Sequence, residues 1–195
     1  METAVIIEPP VTRRKISVDE YYAMHRAGIF GENERLELIE GELVAIAAME
    51  APHFSHVMRA ARLFIEQFGR RANVSIQSPL PLNAYSEPEP DIAVLKWRED
   101  DYFSGKPTPA DVLLVVEVAD TSLLYDRRTK LPLYARHNIP EVWILNLLSK
   151  QLEVYRSPKE NNFAEKLMLN SSERVEMQAF PDVLFAVSDM IIQPR

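Results

Sequence analysis

Three residues carry the chemistry this chain could do. Glu117 lies inside VLLVVEV, residues 112–118, the most hydrophobic run of the sequence. An ionised carboxylate there costs several kcal/mol unless it is paired, hydrogen-bonded or metal-bound. Asp91 stands immediately before a second apolar run, residues 92–95. If the two runs form antiparallel strands, the start of one lies beside the end of the other. Their midpoint is position 104, in the polar stretch around Ser104 and Gly105 that would join them. Two carboxylates brought together in a partly dry site repel each other unless a divalent cation lies between them, which points to Mg²⁺ or Mn²⁺. Lys130 follows Glu117 near the start of a helix leaving the carboxyl end of that strand. There it could neutralise a phosphate or position an attacking water. The competing reading is an i,i+4 pair with Asp126, worth a few tenths of a kcal/mol.

The elements that must position these groups follow from pattern. Ser17 and Glu20 form a capping box that starts a helix towards Gly28. Residues 36–46 are apolar on either side of Gly41, as in a β-hairpin. Pro52 opens an amphipathic helix carrying Val57, Ala61, Phe64 and Phe68. Residues 74–82 read as a strand despite Pro79 and Pro81, and residues 112–118 as a central strand buried on both faces. A helix around 125–138 contains Pro132, which must sit in its first turn or kink it. Residues 142–146 form the next strand, residues 151–155 pair back on it, and further short strands fill the C-terminal third. Residues 1–15 read as a flexible arm and 16–195 as one α/β or α+β domain. Tyr134, Trp143 and Tyr155 are assigned to the core.

Composition narrows the class. With 47% hydrophobic and 26% charged residues, the chain has ordinary globular usage. No cysteine is present, which excludes disulfides, thiolate zinc sites and cysteine nucleophiles. No apolar run approaches the ~18 residues of a membrane span and no signal peptide is evident, so a cytoplasmic protein without membrane contact is expected. The net charge of −7 argues against a basic nucleic-acid coat but leaves room for local basic surfaces. Arg59, Arg62, Arg70 and Arg71 form one candidate; Arg127, Arg128, Lys130 and Arg136 form another. The alternative for each is a solvated helix face.

The segments EPEPDIAVL, LLVVEVADTS and YDRRTKLPLYARHNIPEVWIL, in that order, resemble the Uma-two family of restriction-endonuclease-like proteins within the PD-(D/E)XK nuclease superfamily. The likeness runs from SVDEYYAM through ERLELIEGELV and PHFSHV to Asn146, and fades after Tyr155. It implies a restriction-endonuclease-like mixed β-sheet flanked by helices, Asp91 and Glu117 as Mg²⁺ ligands, and hydrolysis of DNA phosphodiesters by a metal-activated water. The general motif places lysine two residues after the glutamate, where this chain has Ala119; in the family pattern it has moved to the following helix, at Lys130. The resemblance also nominates Glu40, in ELIEGELV, as a further acid, with a solvated turn residue as its alternative. His53 matches the family's Pro-His position, with a cap or packing residue at a helix start as its alternative, and Gln77 a site-lining one, with an ordinary polar strand residue as its alternative. His53 and His56, spaced i,i+3, could share a metal, although no HExxH pattern supports this. A homodimer is expected by family analogy. Two other functions stay open: a non-catalytic nucleic-acid- or protein-binding module that keeps the fold, and a metal-dependent hydrolase of RNA or a nucleotide.

Overall fold

The polar residues at element ends decide where the chain turns. In the computed structural model, which describes residues 13–31, 34–46 and 49–192, helix α1 (Val18–Arg26) begins on the expected capping box. The Ser17 hydroxyl accepts the Glu20 N–H at 3.2 Å, and the Glu20 carboxylate accepts the Ser17 N–H at 2.9 Å. The N-terminal arm expected over residues 1–15 lies outside the described residues up to position 12; Arg13, Arg14 and Lys15 are exposed. The hairpin of β1 (Leu36–Ile39) and β2 (Glu42–Ala45) turns at Glu40 and Gly41, with φ of 52° and 84°. A Cβ at Gly41 would stand 2.5 Å from the Lys15 Cβ, so glycine is required there. Helix α2 (Ala51–Phe68) follows, with Pro52 in its first turn.

The centre is a six-stranded sheet in the order β3 (Ala72–Ile76), β4 (Ile92–Lys96), β5 (Val112–Ala119), β6 (Glu141–Asn146), β7 (Gln151–Lys159), β8 (Asn162–Leu169). Only the β5–β6 pair is parallel. A parallel neighbour demands a crossover. It consists of α3 (Leu123–Tyr125), a π-helical turn (Asp126–Lys130) and α4 (Leu131–Arg136). A two-stranded hairpin, β9 (Arg174–Met177) with β10 (Phe180–Ala186), and the short α5 (Val187–Met190) complete the chain. Among the described residues no helix is long and apolar enough to cross a membrane.

Strand β5 is buried on both faces, as its composition predicts. Leu114, Val116 and Val118 pack with Phe64 and Phe68 of α2 and with Phe185 of the C-terminal hairpin. Val115 and Ala119 face the opposite layer, with Leu131, Leu133 and Tyr134 of α4.

One expectation is revised, and one with two alternatives is decided. The strand expected over 74–82 ends at Ile76, because Gln77 takes a left-handed conformation (φ 43°) and the prolines beyond cannot donate to a ladder. For Pro132 the first of the two expected placements holds in the crossover helix. That helix inserts one extra residue, the Leu131 N–H bonding the Asp126 carbonyl across a π turn, and Pro132 then sits in the first turn of α4.

Phe64 is fully buried and stacks against Phe68 with its ring edge-on to Phe185. Phe64→Ala is therefore expected to cost ~3–5 kcal/mol, measured by urea denaturation. A loss below about 1 kcal/mol would contradict this packing.

Candidate active site

The register Ile92↔Val116 between β4 and β5 puts Asp91, one residue before β4, opposite Glu117 on the α4 side of the sheet. Asp91 is 9% exposed and closely held. Its Oδ2 accepts the Val118 N–H at 2.8 Å and His53 Nε2 at 3.1 Å, and its Oδ1 accepts the Gln77 side-chain amide at 3.1 Å. The left-handed turn at Gln77 makes this possible, its own N–H donating to the Asp91 carbonyl at 3.0 Å. Burial pushes the Asp91 pKa up, but the bond and charge of His53 and the Val118 N–H outweigh it and hold the group below its ordinary value. For His53 burial opposes protonation, and the bond to Asp91 more than compensates, raising its pKa.

Glu117 has quite different company. The Tyr134 hydroxyl donates to its Oε1 at 2.6 Å, and the Lys130 ammonium lies 3.3 Å from that oxygen and 3.4 Å from Oε2. Lys130, 6% exposed, makes its shortest contact to Glu37 Oε1, at 2.8 Å. Glu37 is 1% exposed and also accepts the Glu89 N–H at 2.9 Å, while its Oε2 is buried with no partner. Burial dominates Glu117 and, despite Lys130, pushes its pKa up to about 8. Burial opposes the charge on Lys130, yet Glu117, Glu37 and Asp126 hold its pKa above the ordinary lysine range. The two shifts are compatible because Glu37, the nearer acid, is the closer countercharge for the ammonium. Asp126 is pushed up to about 6, chiefly by burial, against Lys130 and the Ser122 hydroxyl.

Asp91, Glu117, Lys130, His53 and Gln77, all nominated from sequence, line one cavity of about 390 Å³. Glu40 does not. The turn at Gly41 leaves it exposed, its carboxylate on Arg136 at 2.9 Å, and Glu37 of the same hairpin occupies the site instead. His56 points elsewhere: its Nδ1 bonds the Pro52 carbonyl at 2.6 Å and its Nε2 accepts the Ile192 N–H at 3.0 Å, so it shares no metal with His53. Lys130 is not a surface partner of Asp126, which accepts the Ser122 hydroxyl at 2.7 Å.

The second basic surface is largely neutralised: Arg127 pairs with Glu153, Arg136 with Glu40, and Lys130 is buried. In the first, Arg71 pairs with Asp182 at 2.7 Å and Arg70 with Glu99 at 3.5 Å.

Sequence reasoning missed Glu37, Tyr125 and Tyr134. Glu37 sits between Leu36 and Leu38, an alternation that reads as a solvent-facing acid, and Tyr134 reads as plain core.

A strand carboxylate alone does not mark a site. Glu141, wholly buried on β6, receives Trp143 Nε1 at 2.8 Å, Arg156 Nε at 2.8 Å and the Gln178 N–H at 2.7 Å. Its hydrogen-bonding capacity is used within the fold. The cavity differs. Beside Asp91 and Glu117 it collects the carboxylates of Glu37, Glu89, Asp120 and Asp126, and the Glu37 Oε2 is orphaned. An all-oxygen donor set with an uncompensated buried oxygen fits a hard divalent cation. Among the described residues no three acidic or histidine side chains already converge in a ligating arrangement. Mg²⁺ is commonly held by one or two carboxylates together with phosphate oxygens and waters.

The mixed six-stranded sheet and its flanking helices define a restriction-endonuclease-like α/β fold. The profile of the Uma2 family, described as "Putative restriction endonuclease", matches residues 18–188, and the chain belongs to this family. A solved structure titled as a "putative nuclease belonging to DUF820 from Anabaena variabilis ATCC 29413" has the same fold. It aligns with a TM-score of 0.67 at 15% identity over 90% of this chain and 97% of that one. No curated protein matches the sequence.

Two outcomes follow from the geometry. Lys130→Ala leaves Glu37 and Glu117 buried without a cation and is expected to destabilise the fold by ~3–5 kcal/mol in urea titrations. A change of only tenths would place the ammonium at the surface. Glu117 binds its proton more tightly folded than unfolded, so the stability it contributes is complete below pH 4.5 and is lost as pH rises through about 8. Asp126 and His53, also raised, carry the same sign. In cation-free buffer the melting temperature of Glu117→Gln should therefore fall less over this window than that of wild type, and equal slopes would assign the loss to other groups.

Proposed function

We propose that the chain is a Mg²⁺- or Mn²⁺-dependent endonuclease that hydrolyses phosphodiester bonds of DNA, with Asp91 and Glu117 as the metal-holding acids. The observation that carries this reading is Asp91 opposite Glu117 on one face of the sheet, lining one cavity with a buried ammonium between Glu117 and Glu37. A bound divalent cation supplies an acidified water and positive charge for the phosphate. The chain's own groups do the rest. His53, Gln77 and the Val118 N–H fix the Asp91 carboxylate and keep it ionised. Lys130, held protonated, serves as fixed positive charge where negative charge develops on the phosphate, and not as a base. His53 is a positioning residue for Asp91. A homodimer, the assembly expected for the family, would bring two such sites to two strands.

The test is incubation of purified protein with supercoiled plasmid, single-stranded DNA and RNA, with and without Mg²⁺ or Mn²⁺. Plasmid nicking that needs the cation and falls by ~100-fold or more in Asp91→Asn is the expected result. Cleavage of RNA alone would move the substrate class. Binding of nucleic acid without cleavage of any substrate would favour the non-catalytic module.

A further inference from the structure

The polar side chains that line the cavity can be sorted by whether their protons are already committed. His53 and Gln77 donate to Asp91 at 3.1 Å each. Ser122 donates to Asp126 at 2.7 Å and Thr121 to Asp120 at 3.1 Å. Lys130 is held by Glu37 and Glu117, and Arg35 at the rim lies 3.7 Å from Glu89. Besides the buried His53 Nδ1, which also has no partner among the described residues, a neutral donor is left in Tyr125. Its hydroxyl is buried with no hydrogen-bond partner among the described residues, and the residue lines the cavity. Tyr125 closes α3 and enters the π turn that also presents Asp126 and Lys130, so its placement comes from the same backbone device as theirs.

A buried hydroxyl without a partner is unfavourable, and the cost is recovered when an acceptor arrives. Most groups around it are carboxylates, which are acceptors, yet none lies within bonding distance of it. A phosphodiester offers acceptors and no donors, so it needs what the remaining polar groups of this cavity have largely given away.

We infer that the Tyr125 hydroxyl donates a hydrogen bond to a non-bridging oxygen of the substrate phosphate, making Tyr125 a substrate-binding residue of this site. The inference rests on the nuclease reading above. Burial and the surrounding carboxylates hold the Tyr125 pKa above the ordinary tyrosine range, so the hydroxyl is a donor at neutral pH. Neutral donation also suits a pocket where a further fixed cation would compete with the divalent ion for the same acids.

The experiment compares wild type with Tyr125→Phe, which removes one oxygen and keeps the ring. Three readouts are taken: the melting temperature without cation, the kcat/KM for Mg²⁺-dependent nicking of supercoiled plasmid, and the inhibition constant of inorganic phosphate in that assay. The expected result is an unchanged or slightly higher melting temperature, a kcat/KM lower by about 10- to 100-fold, and a phosphate inhibition constant raised several-fold. Unchanged nicking by Tyr125→Phe overturns the inference and leaves the nuclease reading standing. Reduced nicking with an unchanged phosphate constant removes the phosphate contact, and a melting temperature lower by several degrees makes the hydroxyl a structural group; either overturns it. Wild type that cleaves neither plasmid, single-stranded DNA nor RNA removes the nuclease reading and this inference with it.

Discussion

The Lys130 ammonium, buried between the carboxylates of Glu37 and Glu117, ties together parts of the chain that are remote in sequence. Glu37 comes from the N-terminal hairpin, Glu117 from the central strand and Lys130 from the crossover, so the contact joins three elements at one end of the sheet. Burying an ammonium with two ionisable acids carries a large desolvation cost, which is tolerable only where each has a close partner. The backbone is arranged to provide them. The segment between β3 and β4 runs past β1, giving the Glu87 N–H to the Leu38 carbonyl at 2.8 Å and the Glu89 N–H to Glu37 at 2.9 Å. The hairpin that delivers Glu37 is thereby stitched to the segment that ends in Asp91.

The π turn is the second device. An ordinary α-helix entering α4 would put Lys130 one turn above Asp126 and invite a pair between them. The extra residue of the π turn changes that phase, so that Asp126 bonds Ser122 while Lys130 reaches over the strand end to Glu37 and Glu117. It also settles Pro132, whose missing N–H falls in the first turn of α4. Local departures from helix geometry of this kind are frequent at functional sites. Here the departure has a plain consequence: it sets the height and direction of a buried cation.

The two candidate acids are chemically distinct although they face each other. Asp91 is held by neutral and cationic donors and stays ionised, whereas Glu117, more deeply buried, titrates far higher. Such a pair places a fixed negative charge beside a group whose charge depends on what else is present. Glu141 and Glu153 show the contrasting structural solution. They too are buried in strands, but arginine, tryptophan, tyrosine, asparagine and backbone donors occupy their oxygens.

Much of the frame was legible in the residue pattern. The capping box at Ser17, the Gly41 hairpin, the helix after Pro52 and the doubly buried β5 are local signals, each set by neighbours within a few positions. The antiparallel pairing that brings Asp91 to Glu117 followed from two apolar runs, each with an acid at the correct end and a polar loop between them. What local pattern could not decide was which polar groups would be covered. Glu37 and Glu40 are three residues apart in one hairpin, yet the first is sealed by Lys130 and the β3–β4 segment while the second is turned to solvent by Gly41. Tyr134 is apolar core by pattern, and only the crossover's approach to β5 aims its hydroxyl at Glu117. The sequence by itself determined most of the strands and helices and the two acids near strand ends, because those depend on neighbours along the chain. The partners of Lys130 and the burial of Glu37 were decided by tertiary structure, because burial depends on elements that meet only after the sheet has formed.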